Sequence, residues 1–210
     1  MINVLIADDH VLIREGLKKI LKSEADMAVV GEAANAEELY AQARKTNPSI
    51  VLLDISMPGT SGLDALKSLR QECPRVPVLI LSVHPEHRFA VRALKSGAAG
   101  YVNKQGAVEE LVNAIRKIVE GGKYVSPALA EELATQVGAP AGKSPHEILS
   151  DREFQIMCMI AAGKKRTEIA EELALSLSTV NTYRARILEK MNMQSNVELA
   201  RYALEHGLIE

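Results

Sequence analysis

Apolar residues over roughly the first 120 positions fall into two alternating patterns. Short runs rich in Val, Ile and Leu occur at Asn3 to Ala7, Ala28 to Glu32, Ile50 to Leu53, Val76 to Leu81 and Gly100 to Asn103. They are apolar at consecutive positions, as strands buried on both faces are. Between them lie stripes of helical spacing: Ile13, Leu17, Ile20 and Leu21, then Ala36, Leu39, Tyr40 and Ala43, then Val108, Leu111, Val112, Ile115 and Val119. Five strands alternating with five helices predict an α/β doubly wound parallel sheet. Asn35 with Glu38 has N-cap spacing, and Gly121-Gly122 is a helix stop, so the first domain spans residues 1–122.

Ser126-Pro127 opens a short helix to about Val137, and Gly138 to Pro145 has linker composition, giving a linker with a short helix over 123–147. The strand signal then stops. Four helical segments follow, at Asp151 to Ala162, Thr167 to Leu173, Leu177 to Met191 and Asn196 to His206, and they define an all-α domain over 148–210. Ser150 with Glu153 and Ser195 with Glu198 have capping-box spacing.

Composition narrows the classes. A 47% apolar and 25% charged chain of 210 residues is that of a folded globular protein. No apolar run approaches the ~20 residues of a membrane span. Met1-Ile2-Asn3 begins no signal peptide, so a cytoplasmic location is expected. Cys73 and Cys158, in different domains, suggest neither a metal cluster nor a disulfide framework. A net charge of −2 argues against indiscriminate coating of nucleic acid, although a local basic patch fits inside such a total.

The chemically interesting residues of the first domain sit at strand ends. Asp8 and Asp9 end the first strand, Asp54 the third and Ser82 the fourth, while Lys104 follows the fifth. In a doubly wound sheet, ligands bind outside those carboxyl ends. Three converging carboxylates repel unless a hard divalent cation holds them, which suggests Mg²⁺. A carboxylate so placed can take a phosphoryl group if cations neutralise the transferring oxygens: Asp54 for attack, Lys104 for charge, Ser82 for hydrogen bonding.

Asp8-Asp9, Asp54-Ile55-Ser56-Met57-Pro58-Gly59, Ser82 and Tyr101-Val102-Asn103-Lys104 resemble the signature of two-component receiver domains, a flavodoxin-like fold, over essentially all of residues 1–122. The resemblance implies that Asp54 accepts phosphate from the phosphohistidine of a sensor histidine kinase. It also implies that Asp9 binds Mg²⁺ directly, Asp8 assists, and Ser56 contributes its main-chain carbonyl. Ser82 and Tyr101 become the switch pair. Two residues depart from the pattern: Val83 follows Ser82 where a smaller residue is usual, and Gln105 replaces a common proline.

In the second domain, Leu149 to Glu153, Gly163, Glu168 to Leu173 and Ser176 to Met191 resemble the LuxR-type helix-turn-helix of NarL/FixJ response regulators. Ala174-Leu175 supplies the turn, and Ser176 caps the longer helix that enters a major groove. Its rotation puts Val180, Tyr183, Ile187 and Met191 inward. Ser178, Asn181, Thr182 and Ala185 face outward beside Arg184 and Arg186, with Thr179 at the same end. Asn181 can pair with adenine at two points, and Lys164, Lys165, Arg166, Arg184, Arg186 and Lys190 can reach phosphates.

These readings converge on a regulator, not itself an enzyme beyond assisting its own phosphorylation and dephosphorylation, that binds promoter DNA as a homodimer. Two rivals differ in class. A phosphotransfer enzyme acting on small phosphoesters lacks a second Asp two residues after Asp54, a Gly-rich phosphate loop and a substrate-sized insertion. A DNA-binding protein with an unphosphorylated, dimerising receiver-like domain has no need of the intact acid pair, Asp54, Ser82 and Lys104.

Overall fold

In a computed structural model of the protein, the alternating runs form the elements that their patterns predict. The structure describes all residues except 58, 84, 85, 138–143 and 210, and no side chain at 87, 88, 132 or 134–137. Pro58 and most of the Gly138 to Pro145 linker therefore lie outside the described residues. The chain divides into two compact units, Met1–Val137 and Gly138–Glu210.

The first unit runs β1 (Ile2–Ala7), α1 (Val11–Lys22), β2 (Met27–Ala33), α2 (Ala36–Thr46), β3 (Ile50–Asp54), α3 (Gly62–Glu72), β4 (Val78–Ser82), α4 (Glu86–Lys95), β5 (Gly100–Asn103), α5 (Val108–Val119) and α6 (Pro127–Val137). All strands are parallel, in the order β2-β1-β3-β4-β5. The order reverses between β1 and β3, the crevice where such sheets bind ligands. Both faces are buried. Val4, Ile6, Ile50, Leu52, Leu79, Leu81 and Val102 pack with Leu17, Leu21, Leu111, Ile115 and Ile118 of α1 and α5. The alternate residues Leu5, Val51, Leu53, Ile80 and Tyr101 point to the opposite face and are also buried.

Boundaries moved where backbone chemistry overrode pattern. β4 starts at Val78 instead of Val76, because Pro77 has no N–H for a ladder; its carbonyl accepts from Val51 N at 3.0 Å. The segment after Gly122 belongs to the first unit and is not a free connector. Tyr124 N donates to Ala99 O at 2.9 Å, Ser126 Oγ bonds to Glu86 of α4, and Leu129 of α6 is buried.

The second unit has a 3₁₀ turn (Pro145–Ile148), then α7 (Asp151–Ala161), α8 (Arg166–Glu172), α9 (Leu177–Lys190) and α10 (Asn196–Glu205). The capping box at α7 is complete: Glu153 N donates to Ser150 Oγ at 3.3 Å and Ser150 N to Glu153 Oε2 at 2.7 Å. At α10 the serine cap forms, but Glu198 accepts from Gln194 N at 3.1 Å in place of Ser195 N. Ser176 accepts from Thr179 N at 3.0 Å. α8 begins at Arg166, one residue before the position read from the sequence, because the Glu168 carboxylate accepts from Lys165 N at 2.8 Å and so closes the first turn earlier. The turn into α9 passes through Ala174 at φ 50°, a left-handed non-glycine residue.

Candidate functional site

At the β1/β3 crevice the strand ends bring Asp8, Asp9, Asp54 and Lys104 together. Lys104 Nζ lies 2.5 Å from Asp8 Oδ2 and 2.8 Å from Asp54 Oδ2. The three side chains are nearly sealed, at 9% exposure for the lysine and 2% for each carboxylate. Asp54 Oδ1 accepts from Ser56 N at 3.1 Å, and Asp8 Oδ1 from His10 N at 2.9 Å. Burial pushes the Asp54 carboxyl above the usual carboxylate range, against the pull of Lys104. Burial works against the charge of Lys104, but Asp54 and Asp8 outweigh it and hold the ammonium above the ordinary lysine range.

Among the described residues, Asp9 Oδ1 is buried with no hydrogen bond, and His10 Nδ1 lies 3.0 Å from it. Ligand atoms of Asp8, Asp9, His10 and Asp54 lie within 4.8 Å of one another. A hard divalent cation fits a buried carboxylate oxygen that accepts no hydrogen bond from the described residues, in an acidic, oxygen-rich pocket.

Three neighbours escaped the sequence reading. His10 borders the acid pair, and only its adjacency to Asp8-Asp9 could have signalled it. Arg14 donates from Nη1 to Asp8 O at 2.7 Å and from Nε to Glu32 Oε2 at 3.1 Å, which ties the acidic loop to β2. Gly62 opens α3 so tightly against β3 that an added Cβ would lie 2.4 Å from Asp54 O and 2.5 Å from Ile55 Cα.

Ser82 and Tyr101 lie on neighbouring strands. Tyr101 is fully buried, its hydroxyl hydrogen-bonded to Ser82, and burial raises its pKa. In this structure the Tyr101 ring lies in the interior. Lys104 N donates to Ser82 O at 2.8 Å, joining the two loops. Val83 is half-exposed and leaves Ser82 buried behind it.

In the second unit, Val180, Ile187, Leu188 and Met191 are buried and Tyr183 is half-buried, while Ser178, Asn181, Thr182, Ala185 and Arg186 are exposed and Thr179 and Arg184 partly so. The predicted outer face of α9 is thus exposed. Its cations are not all unengaged. Arg166 Nη1 donates to Asn181 Oδ1 at 2.8 Å, Arg184 Nε to Asn196 Oδ1 at 2.7 Å, Lys164 pairs with Glu172, and Lys190 Nζ lies 2.7 Å from the buried Glu153 Oε2. Arg186 borders a cavity of about 300 Å³ with Ser178, Thr179, Thr182 and Tyr183.

An acid cluster at the switch point of a five-stranded parallel sheet, with a capped helix pair in a separate unit, defines the class of response regulators. Residues 4–116 match the response regulator receiver domain, and residues 147–203 match the bacterial regulatory proteins of the luxR family. The chain belongs to the receiver-plus-LuxR-type, NarL/FixJ response regulators.

Among its relatives, response regulator GacA of Pseudomonas viridiflava is 42% identical over 211 residues, covering 100% of this chain and 99% of the relative. UvrY of Escherichia coli K12 is 41% identical over 209 residues, with 99% and 96% covered. Among solved structures, RcsB from Salmonella enterica serovar Typhimurium, bound to promoter rprA in the presence of phosphomimetic BeF3−, is similar with a TM-score of 0.67, 26% identity and 96% and 97% coverage. A LuxR-family two-component response regulator from Aurantimonas sp. SI85-9A1 gives 0.62, 37% identity, and 66% and 99% coverage.

Proposed function

We propose that this response regulator is switched by phosphorylation of Asp54 and then binds promoter DNA as a homodimer. The observation that carries the reading is the sealed Asp8–Lys104–Asp54 triad beside a buried Asp9 oxygen that, among the described residues, accepts no hydrogen bond. A sensor histidine kinase is the donor. Asp54 Oδ attacks the phosphorus, the N–P bond of the phosphohistidine breaks, and the imidazole leaves with that electron pair. Lys104 neutralises charge on the transferring oxygens, and Ser82 donates a hydrogen bond to one of them. Asp8, Asp9, Asp54 and the Ser56 carbonyl hold Mg²⁺, which when bound supplies further neutralisation of phosphoryl charge.

The signal leaves through Ser82. Its hydroxyl serves Tyr101 in this structure, so a phosphoryl oxygen on Asp54 competes with Tyr101 for it and loosens the β5 edge. Promoter binding through α9 takes its support from the DNA-bound RcsB relative: Asn181, Ser178, Thr179 and Thr182 face the bases, and Lys164, Lys165, Arg184, Arg186 and Lys190 reach phosphates, the last by exchanging its bond to Glu153. The setting is the cytoplasm, where kinase and promoter meet.

The test is labelling of the full-length protein with acetyl phosphate, with and without Mg²⁺, followed by operator titration and sedimentation. Wild type should label only with Mg²⁺, gain affinity for a two-half-site operator and gain mass. Asp54→Asn should do none of these. Full labelling of Asp54→Asn would overturn the acceptor assignment, and unchanged operator affinity and mass on labelling would overturn the switch.

A further inference from the structure

Arg166 reads from the sequence as one more phosphate contact, but in the structure its guanidinium is bonded to the side chain that faces the bases. Arg166 is the first residue of α8, and Asn181 sits one turn into α9. Both are exposed, and Nη1 donates to Asn181 Oδ1 at 2.8 Å. Resting on the reading of α9 as the base-contacting helix, we propose that Arg166 is the positioning residue for Asn181, and that the two read sequence as one unit.

The chemistry is that of an amide with two unlike ends. A guanidinium is donor-only, so it fixes which end of Asn181 is its oxygen and turns the NH₂ away. The carbonyl oxygen has a second lone pair. Asn181 can therefore keep its bond to Arg166 while accepting from adenine N6 and donating to N7, the two-point contact that discriminates adenine. The remaining guanidinium N–H groups are free to bind one backbone phosphate. A phosphate–Arg166–Asn181–base chain then makes base reading depend on backbone register. An arginine acting only on phosphate would instead lower affinity for every sequence alike.

The sequence around the turn supports the arrangement. Glu168 closes the first turn of α8 through Lys165 N, and Leu175 N donates to Ala170 O at 2.8 Å across the turn. The starts of α8 and α9 are thus held independently of the Arg166–Asn181 bond, and substituting either residue removes the bond without removing the helices.

The experiment uses full-length protein, duplexes selected from a random library by the wild type, and unselected duplexes of the same length, titrated over a range of salt. Arg166→Ala and Asn181→Ala should each lower the selected-to-unselected affinity ratio by about 5- to 150-fold, at the same base position, and the double variant should lose no more than either alone. Arg166→Gln keeps an N–H donor for Asn181 without the charge. It should retain most of the ratio while lowering the salt slope by about 0.9, one phosphate's share. Equal loss on selected and unselected duplexes for Arg166→Ala, or losses that add in the double variant, would overturn the proposal. If Asn181→Ala leaves the ratio intact, the base-reading assignment fails and the proposal falls with it. If only Arg166→Ala leaves it intact, the assignment stands and Arg166 is a phosphate contact.

Discussion

Replacing Lys104 by Ala removes the cation that two buried carboxylates share. Asp8 and Asp54 are each 2% exposed, so neither can recover hydration when the ammonium is gone. Breaking a buried pair by deleting one partner costs about 3–5 kcal/mol, most of it the uncompensated charge left behind. At a urea slope of about 2 kcal/mol per M, the midpoint of the N-terminal unit should fall by roughly 2 M in EDTA. Asp54 already has a raised pKa in the folded state, and the substitution raises it further. A raised carboxylate destabilises the fold fully above its folded pKa, and the penalty fades as pH falls toward the unfolded value of 3.8, because the native state then binds the extra proton. The loss should therefore shrink on acidification. Mg²⁺ should shrink it too, since the variant's two carboxylates have no competing ammonium and bind the cation more tightly than wild type, and each tenfold gain in affinity offsets about 1.4 kcal/mol of the loss at saturation. The assay is urea unfolding followed by circular dichroism at neutral and acidic pH, with EDTA or Mg²⁺; the transition that moves with Mg²⁺ belongs to the N-terminal unit. A loss below about 1 kcal/mol, or one indifferent to Mg²⁺ and pH, would refute the argument that Lys104 neutralises a sealed anionic pair.

Gly62→Ala should destabilise the same unit by about 1–3 kcal/mol and slow labelling of Asp54, because the new Cβ meets the Asp54 carbonyl at 2.4 Å and β3 must shift; a wild-type melting temperature would exclude that clash. Glu153→Gln should cost the C-terminal unit about 1 kcal/mol near neutral pH. Burial alone would raise the Glu153 pKa, but the Lys190 ammonium and the Ser150 hydrogen bonds hold it below the usual range, so its contribution is present above 4.5 and lost as pH falls through the folded value. The variant should flatten the acid limb of the stability profile, and an unchanged limb in thermal melts from pH 7 to 3 would count against the pair.

The doubly wound fold was legible because continuous Val/Ile/Leu runs, as in strands buried on both faces, alternate with amphipathic helices. The crevice residues followed from topology, since a strand end at a switch point is set by strand order alone. What did not follow was local stereochemistry. Gly62 counts through a backbone separation set by the β3–α3 turn, which no hydrophobic period encodes. Arg14 counts through a carbonyl, and the residue type says nothing of which main-chain oxygen it reaches. α6 read as part of a linker because the attachments seen among the described residues, Ser126 on Glu86 and the buried Leu129, are too few positions to leave a pattern.

On α9 the sequence placed side chains on faces but not in bonds. Ser178, Asn181 and Thr182 are exposed as the helical rotation requires, yet Arg166, Arg184 and Lys190 each already have a protein partner. The three partners differ in what DNA would have to displace. Asn196 offers Arg184 a neutral oxygen that a phosphate readily outcompetes. Glu153 holds Lys190 with a full charge from a carboxylate 5% exposed, so moving that lysine to a phosphate strands a buried anion. Asn181 alone gains from keeping its arginine, because the bond leaves free the lone pair and the NH₂ group that adenine requires. Exchange is thus favourable at Arg184, costly at Lys190 and unnecessary at Arg166, which is why the α8 start, and not the α9 end, carries the dependence of base reading on backbone contact.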